Sequence, residues 1–566
     1  MKFSEMEYKR PDLEEVQTRF DKLLSQFENA ASFDSQSSIM NEINDLRIEF
    51  QTMWILASIK YSIDTLNKFN QDEQNFFDLN GPIYEGLNVK YYQSLVNSKY
   101  RPDLEKKWGK QLFAVAESSL KAYKPEILED LKLENKLRTD YTKLIASAKI
   151  MYNGEERNLS GLNPFLESPK RETRRTSSEA KWKFFSDNAG EFDRLYDELV
   201  KLRDKMARKI GYKNFVEMGY ARMERTDYNA EMVAGFRKQV KDFIVPITVN
   251  LKKKQRELLE LDSFKYYDQA IDYKTGNAKP HGRTDWITSC ARKMYEELSP
   301  ETGEFFDHMV ANEMMDLVTK KGKDAGGFCA FIDKYRSPFI FANFNGTMGD
   351  VEVLTHEAGH AFQAFSSRNF DVPEYFSPTA EACEIHSMSM EFLTWPWMSC
   401  FFREDNEKFK YSHLKNTLIF IPYGVAVDEF QHFVYENPDV TPEVRNKKWR
   451  EIEEKYLPYL DYDNNEFLVN GGRWQQQRHI YMSPFYYIDY CLAQICAFQF
   501  WKRYNLESKE TALKDYMRLC KAGGSMSFLE LVKLANLISP FDKNCIESFV
   551  GDVVKWLDSV DTAKLN

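Results

Sequence analysis

The sequence predicts a large, mostly α-helical protein with two lobes and very little β-structure. At 566 residues the chain exceeds the usual size of one compact core, so two or three domains or one two-lobed body are expected. Proline and glycine number only 19 and 24, which is typical of long helices. Apolar residues recur at three- and four-residue spacing through residues 13–69, 101–152 and 178–209, the pattern of helices that bury one face.

A polar, turn-rich stretch at residues 158–175 interrupts the helical pattern and separates the two predicted lobes. The expected division is an N-terminal helical lobe over residues 1–175 and a larger helical domain over residues 176–566. The clearest strand candidate is Pro338–Asn345, which is rich in aromatic residues and is followed by Gly346. Because this strand lies just before a strongly amphipathic helix, a small β-sheet is expected beside that helix.

Composition excludes several classes of protein. The net charge of −10 argues against a nucleic-acid partner, since phosphate binding needs concentrated Lys and Arg. A membrane partner is not expected, because no segment has the roughly 18 uninterrupted apolar residues of a span and the N-terminus lacks an apolar leader. The eight cysteines form no CxxC pair, so free thiols and a cytoplasmic location are expected.

A zinc-binding motif is predicted within the helix Asp350–Ser367. His356 and His360 are four residues apart, so they project from one face of the helix and can bind the same Zn²⁺ ion. Glu357 follows the first histidine and can accept a proton from water at the metal. Gly359 lowers helix stability by roughly 1 kcal/mol relative to Ala, which indicates that another segment approaches the helix closely here.

The third ligand of the predicted zinc site is expected on the next helix, Thr379–Thr394. A catalytic zinc ion usually takes three protein ligands and leaves the fourth position for water. The helix offers four candidates, Glu381, Glu384, His386 and Glu391, and the residues alone do not choose among them. Glu384 and Glu391 are seven residues apart and share a helix face, which suits one as the ligand and the other as a residue that orients a ligand.

Residues 346–393, which contain HEAGHAFQAF and then EIHSMSMEF, resemble the M3 family of metallopeptidases, in particular its oligoendopeptidase F type with the Pz-peptidases. In that family the third zinc ligand opens a Glu-x-x-Ser motif, which falls here on Glu384 and Ser387. The resemblance therefore implies that one Zn²⁺ ion is held by His356, His360 and Glu384. It also implies a two-lobed helical fold with the zinc ion in a deep, enclosed substrate channel.

Residues 478–490 resemble the cluster of histidine and tyrosine residues found in the same family. By that resemblance Tyr487 and Tyr490 donate hydrogen bonds to the substrate carbonyl as it becomes an oxyanion, and His479 helps to bind the substrate or the same charge. Tyr486 is an alternative to Tyr487, because the spacing from the histidine differs from the thimet branch of the family. Preorganised phenol groups can supply a few kcal/mol of stabilisation to such a charge.

The expected function is that of a zinc-dependent oligoendopeptidase, which cleaves internal bonds of short peptides because folded proteins cannot enter an enclosed channel. Two alternatives stay open: a zinc carboxypeptidase of similar helical fold and a non-catalytic peptide-binding protein. The predicted strand is expected either to serve the fold alone or to pair with the peptide backbone as an edge strand, with Ala342 and Asn343 near the scissile bond. The sequence determines neither the oligomeric state nor the cleavage preference.

Overall fold

The structure is a computed structural model that describes residues 1–566, with 25 α-helices and five β-strands. The first helices are Leu13–Glu28 (α1), Phe33–Ile63 (α2), Lys68–Val96 (α3), Arg101–Trp108 (α4), Lys110–Ala122 (α5) and Leu128–Ala146 (α6). Two short antiparallel strands follow, Ile150–Tyr152 (β1) and Glu155–Arg157 (β2). The predicted mostly α-helical fold is confirmed.

The middle of the chain continues as helices and then forms a small sheet. The helices are Asn163–Leu166 (α7), Arg171–Asp187 (α8), Ala189–Lys209 (α9), Phe215–Arg222 (α10), Ala230–Gln239 (α11), Val245–Leu258 (α12), Thr284–Leu298 (α13) and Pro300–Ala311 (α14). The three strands of the sheet are Met315–Val318 (β3), Phe328–Ile332 (β4) and Ser337–Phe344 (β5).

The last part of the chain is helical throughout. Its helices are Gly349–Ser367 (α15), Ala380–Leu393 (α16), Met398–Phe402 (α17), Asn406–Glu436 (α18), Pro442–Tyr456 (α19), Glu466–Val469 (α20), Arg478–Met482 (α21), Tyr487–Lys502 (α22), Lys509–Ala522 (α23), Phe528–Leu534 (α24) and Glu547–Ser559 (α25). None of the helices combines the length and apolar character that a membrane span needs.

Two separate hydrophobic cores lie within this helical body. The smaller core contains 22 buried residues, which come from α1 to α5 together with Val372 and Tyr375. The larger core contains 112 buried residues and takes in most of the later elements. Two cores are the arrangement expected of two lobes, while the domain boundary at residue 175 stays a prediction.

The order of the three-stranded sheet is β3-β5-β4, so β5 is its central strand. β5 is the strand predicted at Pro338–Asn345, and it pairs in parallel with β3 and antiparallel with β4. The pairing of β5 with β4 ends at Phe341, opposite Phe328, so the expected pairing of a peptide near Ala342 and Asn343 stays a prediction. The predicted position of the sheet beside the helix of the two histidines is confirmed, since α15 packs against β4 and β5.

The connection from β5 to α15 is short and is held by Asp350. Its carboxylate accepts hydrogen bonds from the backbone N–H groups of Asn345, at 2.8 Å, and Gly346, at 2.9 Å. These contacts tie the first turn of α15 to the end of the strand. The helix therefore leaves the sheet in one fixed direction.

Gly359 lies where α15 crosses α16. A Cβ atom at this position would lie 2.6 Å from Ser387 Cα and 2.7 Å from the His386 carbonyl oxygen, both in the backbone of α16. Backbone atoms cannot move aside as a flexible side chain can, so only glycine allows this close contact. The close approach inferred from the sequence is confirmed.

The segment between α15 and α16 packs against the smaller core formed by α1 to α5. The Arg47 guanidinium forms a buried ion pair with Glu374 at 2.6 Å, and the Tyr92 hydroxyl donates to the same carboxylate at 2.6 Å. The Tyr375 hydroxyl donates to the backbone carbonyl of Trp108 at 2.7 Å. These contacts connect α15 and α16 to the helices of the smaller core.

Cys290 and Cys400 form a disulfide between α13 and α17, with their Cα atoms 5.8 Å apart. The expectation that every cysteine carries a free thiol is wrong for this pair. The two residues are separated by 110 positions, so no local spacing indicated that the fold would bring them together. The other six cysteines have free thiols.

We expect Gly359→Ala to lower the free energy of unfolding by about 1–3 kcal/mol, because the added methyl group overpacks the contact between α15 and α16. Gly235→Ala is the matched control. Gly235 lies within α11 and a Cβ atom there meets nothing within 4 Å, so this variant should be about 0.5–1 kcal/mol more stable. Urea unfolding followed by circular dichroism measures both. Equal stability of the two variants would contradict the proposed contact.

Candidate active site

Three side chains from α15 and α16 converge on one point. His356 Nε2 and His360 Nε2 each lie 3.3 Å from Glu384 Oε2. Ligand atoms bound at 2.0–2.2 Å to a tetrahedral ion lie about 3.4 Å apart, so these three residues could hold an ion such as Zn²⁺. The two imidazole side chains keep 22% and 19% of their surface exposed, whereas Glu384 keeps 2%. The site is therefore open only on the side of the histidines.

The Glu384 carboxylate is held by hydrogen bonds on both oxygens. The Ser387 hydroxyl, one turn later on α16, donates to Oε2 at 2.9 Å, and the Tyr486 hydroxyl donates to Oε1 at 2.5 Å. Burial by itself would raise the pKa of Glu384, but the His360 and His356 imidazoles outweigh it and hold the pKa well below its usual range. The carboxylate is therefore ionised and ready to bind a cation.

His356 is oriented by a chain of hydrogen bonds that runs away from the site. Its Nδ1–H donates to Glu391 Oε1 at 2.7 Å, and His413 Nε2 donates to Glu391 Oε2 at 2.6 Å. The Trp395 indole N–H donates to His413 Nδ1 at 3.1 Å. Because an indole can only donate, the proton of His413 must lie on Nε2. Because Glu391 holds the Nδ1 proton, Nε2 is the nitrogen of His356 that is available to bind a metal ion.

Glu357 lies beside the three converging side chains and has no hydrogen-bond partner from the protein. Its side chain is buried next to the start of β4, where a Cβ atom on Gly327 would lie 3.3 Å from Glu357 Oε1. Burial raises the pKa of Glu357. A carboxylate with a raised pKa and no protein partner is suited to accept a proton and release it again.

The other two candidates for the third ligand point elsewhere. Glu381 is buried and accepts a hydrogen bond from the Thr379 hydroxyl at 3.0 Å. His386 Nδ1 donates to the Ala382 carbonyl at 2.7 Å, within its own helix. Of the four candidates on α16, only Glu384 joins the two histidines.

Tyr486, Tyr490 and His479 form a second cluster that faces Glu384. The Tyr490 hydroxyl lies 3.4 Å from His479 Nε2, and the Tyr486 ring stacks on the His479 ring with centroids 5.6 Å apart. Burial raises the pKa of both phenols. Both hydroxyl groups therefore keep their protons at neutral pH and can act as hydrogen-bond donors.

Tyr487 lies on the other side of the same turn. Its ring packs against Phe420 and Tyr423, with centroids 5.6 Å and 5.8 Å apart, and its hydroxyl makes no hydrogen bond with the protein. The sequence resemblance assigned the donor role to Tyr487 and left Tyr486 as the alternative. It is Tyr486 whose hydroxyl reaches Glu384.

His413 and Trp395 were not predicted from the sequence. They lie 18 residues apart along the chain, with Trp395 before α17 and His413 after it. A histidine near the start of the long helix α18 was their only signal in the sequence. Nothing in the sequence connected that histidine with Glu391.

Two family models match the chain. The one described as Peptidase M3 N-terminal domain covers residues 3–123, and the one described as Peptidase family M3 covers residues 165–550, most of the chain. The chain belongs to peptidase family M3. The family, fold class and enzyme class predicted from the sequence are confirmed, and this M3 peptidase is a metallopeptidase by family.

Solved and characterised relatives agree with that assignment. The M3 peptidase is 57% identical to Pz peptidase A, solved with an inhibitor; the two superpose with a TM-score of 0.98 over 99% of this chain and 100% of that chain. It is 23% identical to Group B oligopeptidase PepB of Streptococcus agalactiae serotype III, over 92% of this chain and 90% of that protein. Oligopeptidase PepF of Bacillus subtilis (strain 168) is 22% identical, over 68% of this chain but only 57% of that protein.

We expect Glu391→Gln to weaken zinc binding by about 10–100-fold, because the amide no longer supplies the charge that holds the His356 Nδ1 proton. Competition with a chromogenic chelator measures the dissociation constant. Glu436→Gln is the matched control, since this exposed carboxylate at the end of α18 makes no hydrogen bond. Equal zinc affinity in the two variants would contradict the role of Glu391.

Proposed function

We propose that this M3 peptidase is a zinc-dependent oligoendopeptidase that hydrolyses internal bonds of short peptides. The observation that carries the proposal is the convergence of His356, His360 and Glu384, with Glu357 beside them and free of protein partners. A zinc hydrolase needs this combination of three ligands and one general base. The names of the relatives, Pz peptidase A and two oligopeptidases, support the same class of reaction.

The proposed chemistry begins with the activation of water. When bound, Zn²⁺ supplies a Lewis acid that makes water more acidic and polarises the carbonyl group of the peptide. Glu357 accepts the proton of the attacking water and later delivers it to the leaving amine. Its raised pKa favours this exchange, because a base close to the working pH both takes and returns a proton readily.

We assign the stabilisation of the oxyanion to Tyr486, Tyr490 and His479. The phenol of Tyr490 and the imidazole of His479 lie together on the side of the site that faces the zinc ligands. Tyr486 contributes through Glu384, to which its hydroxyl is bonded. Tyr487, whose ring packs against Phe420, Tyr423 and the His479 ring and whose hydroxyl bonds to no protein group, is assigned to the fold.

We propose that the substrate binds as an extended strand along the free edge of β4. Glu357 lies next to Gly327 at the start of this strand, so a peptide paired with β4 passes in front of the general base. Only an unfolded segment can reach ligands as little exposed as His356 and His360. This limit favours short peptides as substrates, and the enclosed substrate channel stays a prediction. The cytoplasmic location stays a prediction.

We expect Glu357→Gln to lower kcat/KM by about 10²–10⁴-fold while the protein keeps its zinc ion, because an amide cannot accept the proton of water. The substrate is an internally quenched peptide of about ten residues with both ends blocked, and metal content is measured by atomic absorption. A blocked C-terminus excludes a carboxypeptidase, which needs the free carboxylate.

Three outcomes contradict the proposal in different ways. Cleavage by Glu357→Gln at the wild-type rate would mean that Glu357 is not the base. Cleavage of only an unblocked peptide would favour the carboxypeptidase. Zinc binding without any cleavage by the wild-type protein would favour a peptide-binding protein.

We expect Tyr490→Phe to lower kcat by about 10²-fold with little change in KM, because the lost proton stabilises only the transition state. Tyr486→Phe should lower kcat and also weaken zinc binding, since it removes a hydrogen bond to Glu384. Tyr487→Phe is the matched control and should keep kcat within about threefold of wild type. A large loss of kcat in Tyr487→Phe, together with wild-type kcat in Tyr486→Phe, would assign the catalytic role to Tyr487 and not to Tyr486. Steady-state kinetics decide between them.

A further inference from the structure

A chain of hydrogen bonds reaches His479 from the side opposite to the zinc ligands. The Tyr423 hydroxyl donates to Gln477 Oε1 at 2.9 Å, and Gln477 Nε2 lies 2.8 Å from His479 Nδ1. The other ring nitrogen, Nε2, lies 3.4 Å from the Tyr490 hydroxyl. The chain therefore begins in α18 and ends in the proposed oxyanion site.

The direction of this chain is set by Tyr423. A side-chain amide offers one accepting oxygen and one donating nitrogen. With the oxygen toward Tyr423, the phenol proton has an acceptor and the amide N–H points at the imidazole. With the amide reversed, the Tyr423 proton would have no acceptor from the protein. Burial raises the pKa of Tyr423 to about 12, so this proton is present at neutral pH.

Because the Gln477 amide donates to the His479 ring, the neutral imidazole can adopt only one tautomer. Nδ1 must accept the hydrogen bond from Gln477, so the single ring proton lies on Nε2. Burial, together with the neighbouring Arg478, lowers the pKa of His479 to about 4. The ring is therefore neutral under physiological conditions, and its proton faces Tyr490.

We propose that Gln477, oriented by Tyr423, keeps the proton of His479 on Nε2, so that His479 donates to the Tyr490 oxygen and Tyr490 donates to the substrate. With the proton on Nε2, the imidazole donates toward the Tyr490 oxygen and leaves the phenol proton free for the oxyanion. With the proton on Nδ1, the bare Nε2 would itself accept the Tyr490 proton. Gln477 and Tyr423 are thus positioning residues, and their effect on catalysis rests on the proposed peptidase function.

The variant Gln477→Glu tests the proposal because a carboxylate can only accept. It draws the ring proton to Nδ1 and raises the pKa of His479, since the charged imidazole gains a negative neighbour. At low pH the imidazolium still carries a proton on Nε2, so activity is retained. As the pH rises through the raised pKa, the remaining proton stays on Nδ1 and kcat should fall by about 10²-fold. KM should change little.

Gln476→Glu is the matched control. It adds the same charge one residue earlier, where Gln476 Oε1 already accepts a hydrogen bond from the Lys181 ammonium at 2.9 Å. The new carboxylate pairs with Lys181, so the pH profile of kcat should match that of wild type. The other ionisable groups around His479, which neither variant changes, are Arg478, Glu384, Tyr486, Tyr487 and Tyr490.

The tautomer itself is measured by ¹⁵N NMR of protein labelled only at histidine, which gives eight residues to assign. We expect the wild-type His479 proton on Nε2 and the Gln477→Glu proton on Nδ1 above the raised pKa. A wild-type proton on Nδ1, or a Gln477→Glu variant with the wild-type pH profile, would overturn the proposal. Because the NMR experiment needs no substrate, a failure of the peptidase assignment would be recognised separately, by the absence of cleavage in the wild-type protein.

Discussion

The contact between the backbones of α15 and α16 at Gly359 sets the geometry on which the active site depends. α15 supplies both histidines and α16 supplies Glu384, so the distance between the two helices decides whether the three ligand atoms meet. They lie within 4.8 Å of one another, as binding of one metal ion by all three requires. Any side chain at position 359 would meet backbone atoms of α16, and the ligands would separate with the helices.

Two buried carboxylates of the site, Glu384 and Glu391, are matched by donors, whereas Glu357 is not. Glu384 receives two hydroxyl groups in addition to the two imidazoles that face it, and Glu391 receives one proton from each of two histidines. An unpaired buried charge costs several kcal/mol, so these donors stabilise the fold as well as the site. These side chains are already oriented in the folded protein, so metal binding requires little rearrangement of them.

The tyrosine segment depends on a different anchor, outside the cluster of His356, His360 and Glu384. Arg225 forms a fully buried ion pair with Asp489 at 2.8 Å and also donates to the Phe485 carbonyl. Phe485 has a φ of 67°, which side chains adopt only when their surroundings hold them there. The turn that follows directs Tyr486 toward Glu384 and Tyr487 away from it. The two halves of the active site are therefore fixed by separate parts of the fold.

The sequence by itself predicted the helices and the paired histidines, because the residues that form these patterns are neighbours on one helix. The 3.6-residue period predicted the helices, and the spacing of His356 and His360 predicted a shared metal. The resemblance to family M3 added Glu384. The hydrogen bond from Tyr486 to Glu384, the central position of β5, the Cys290–Cys400 disulfide and the chain from Trp395 to Glu391 came only from the tertiary structure. Each of these depends on which segments pack together across the fold, and packing between distant segments leaves no periodic signal in a single sequence.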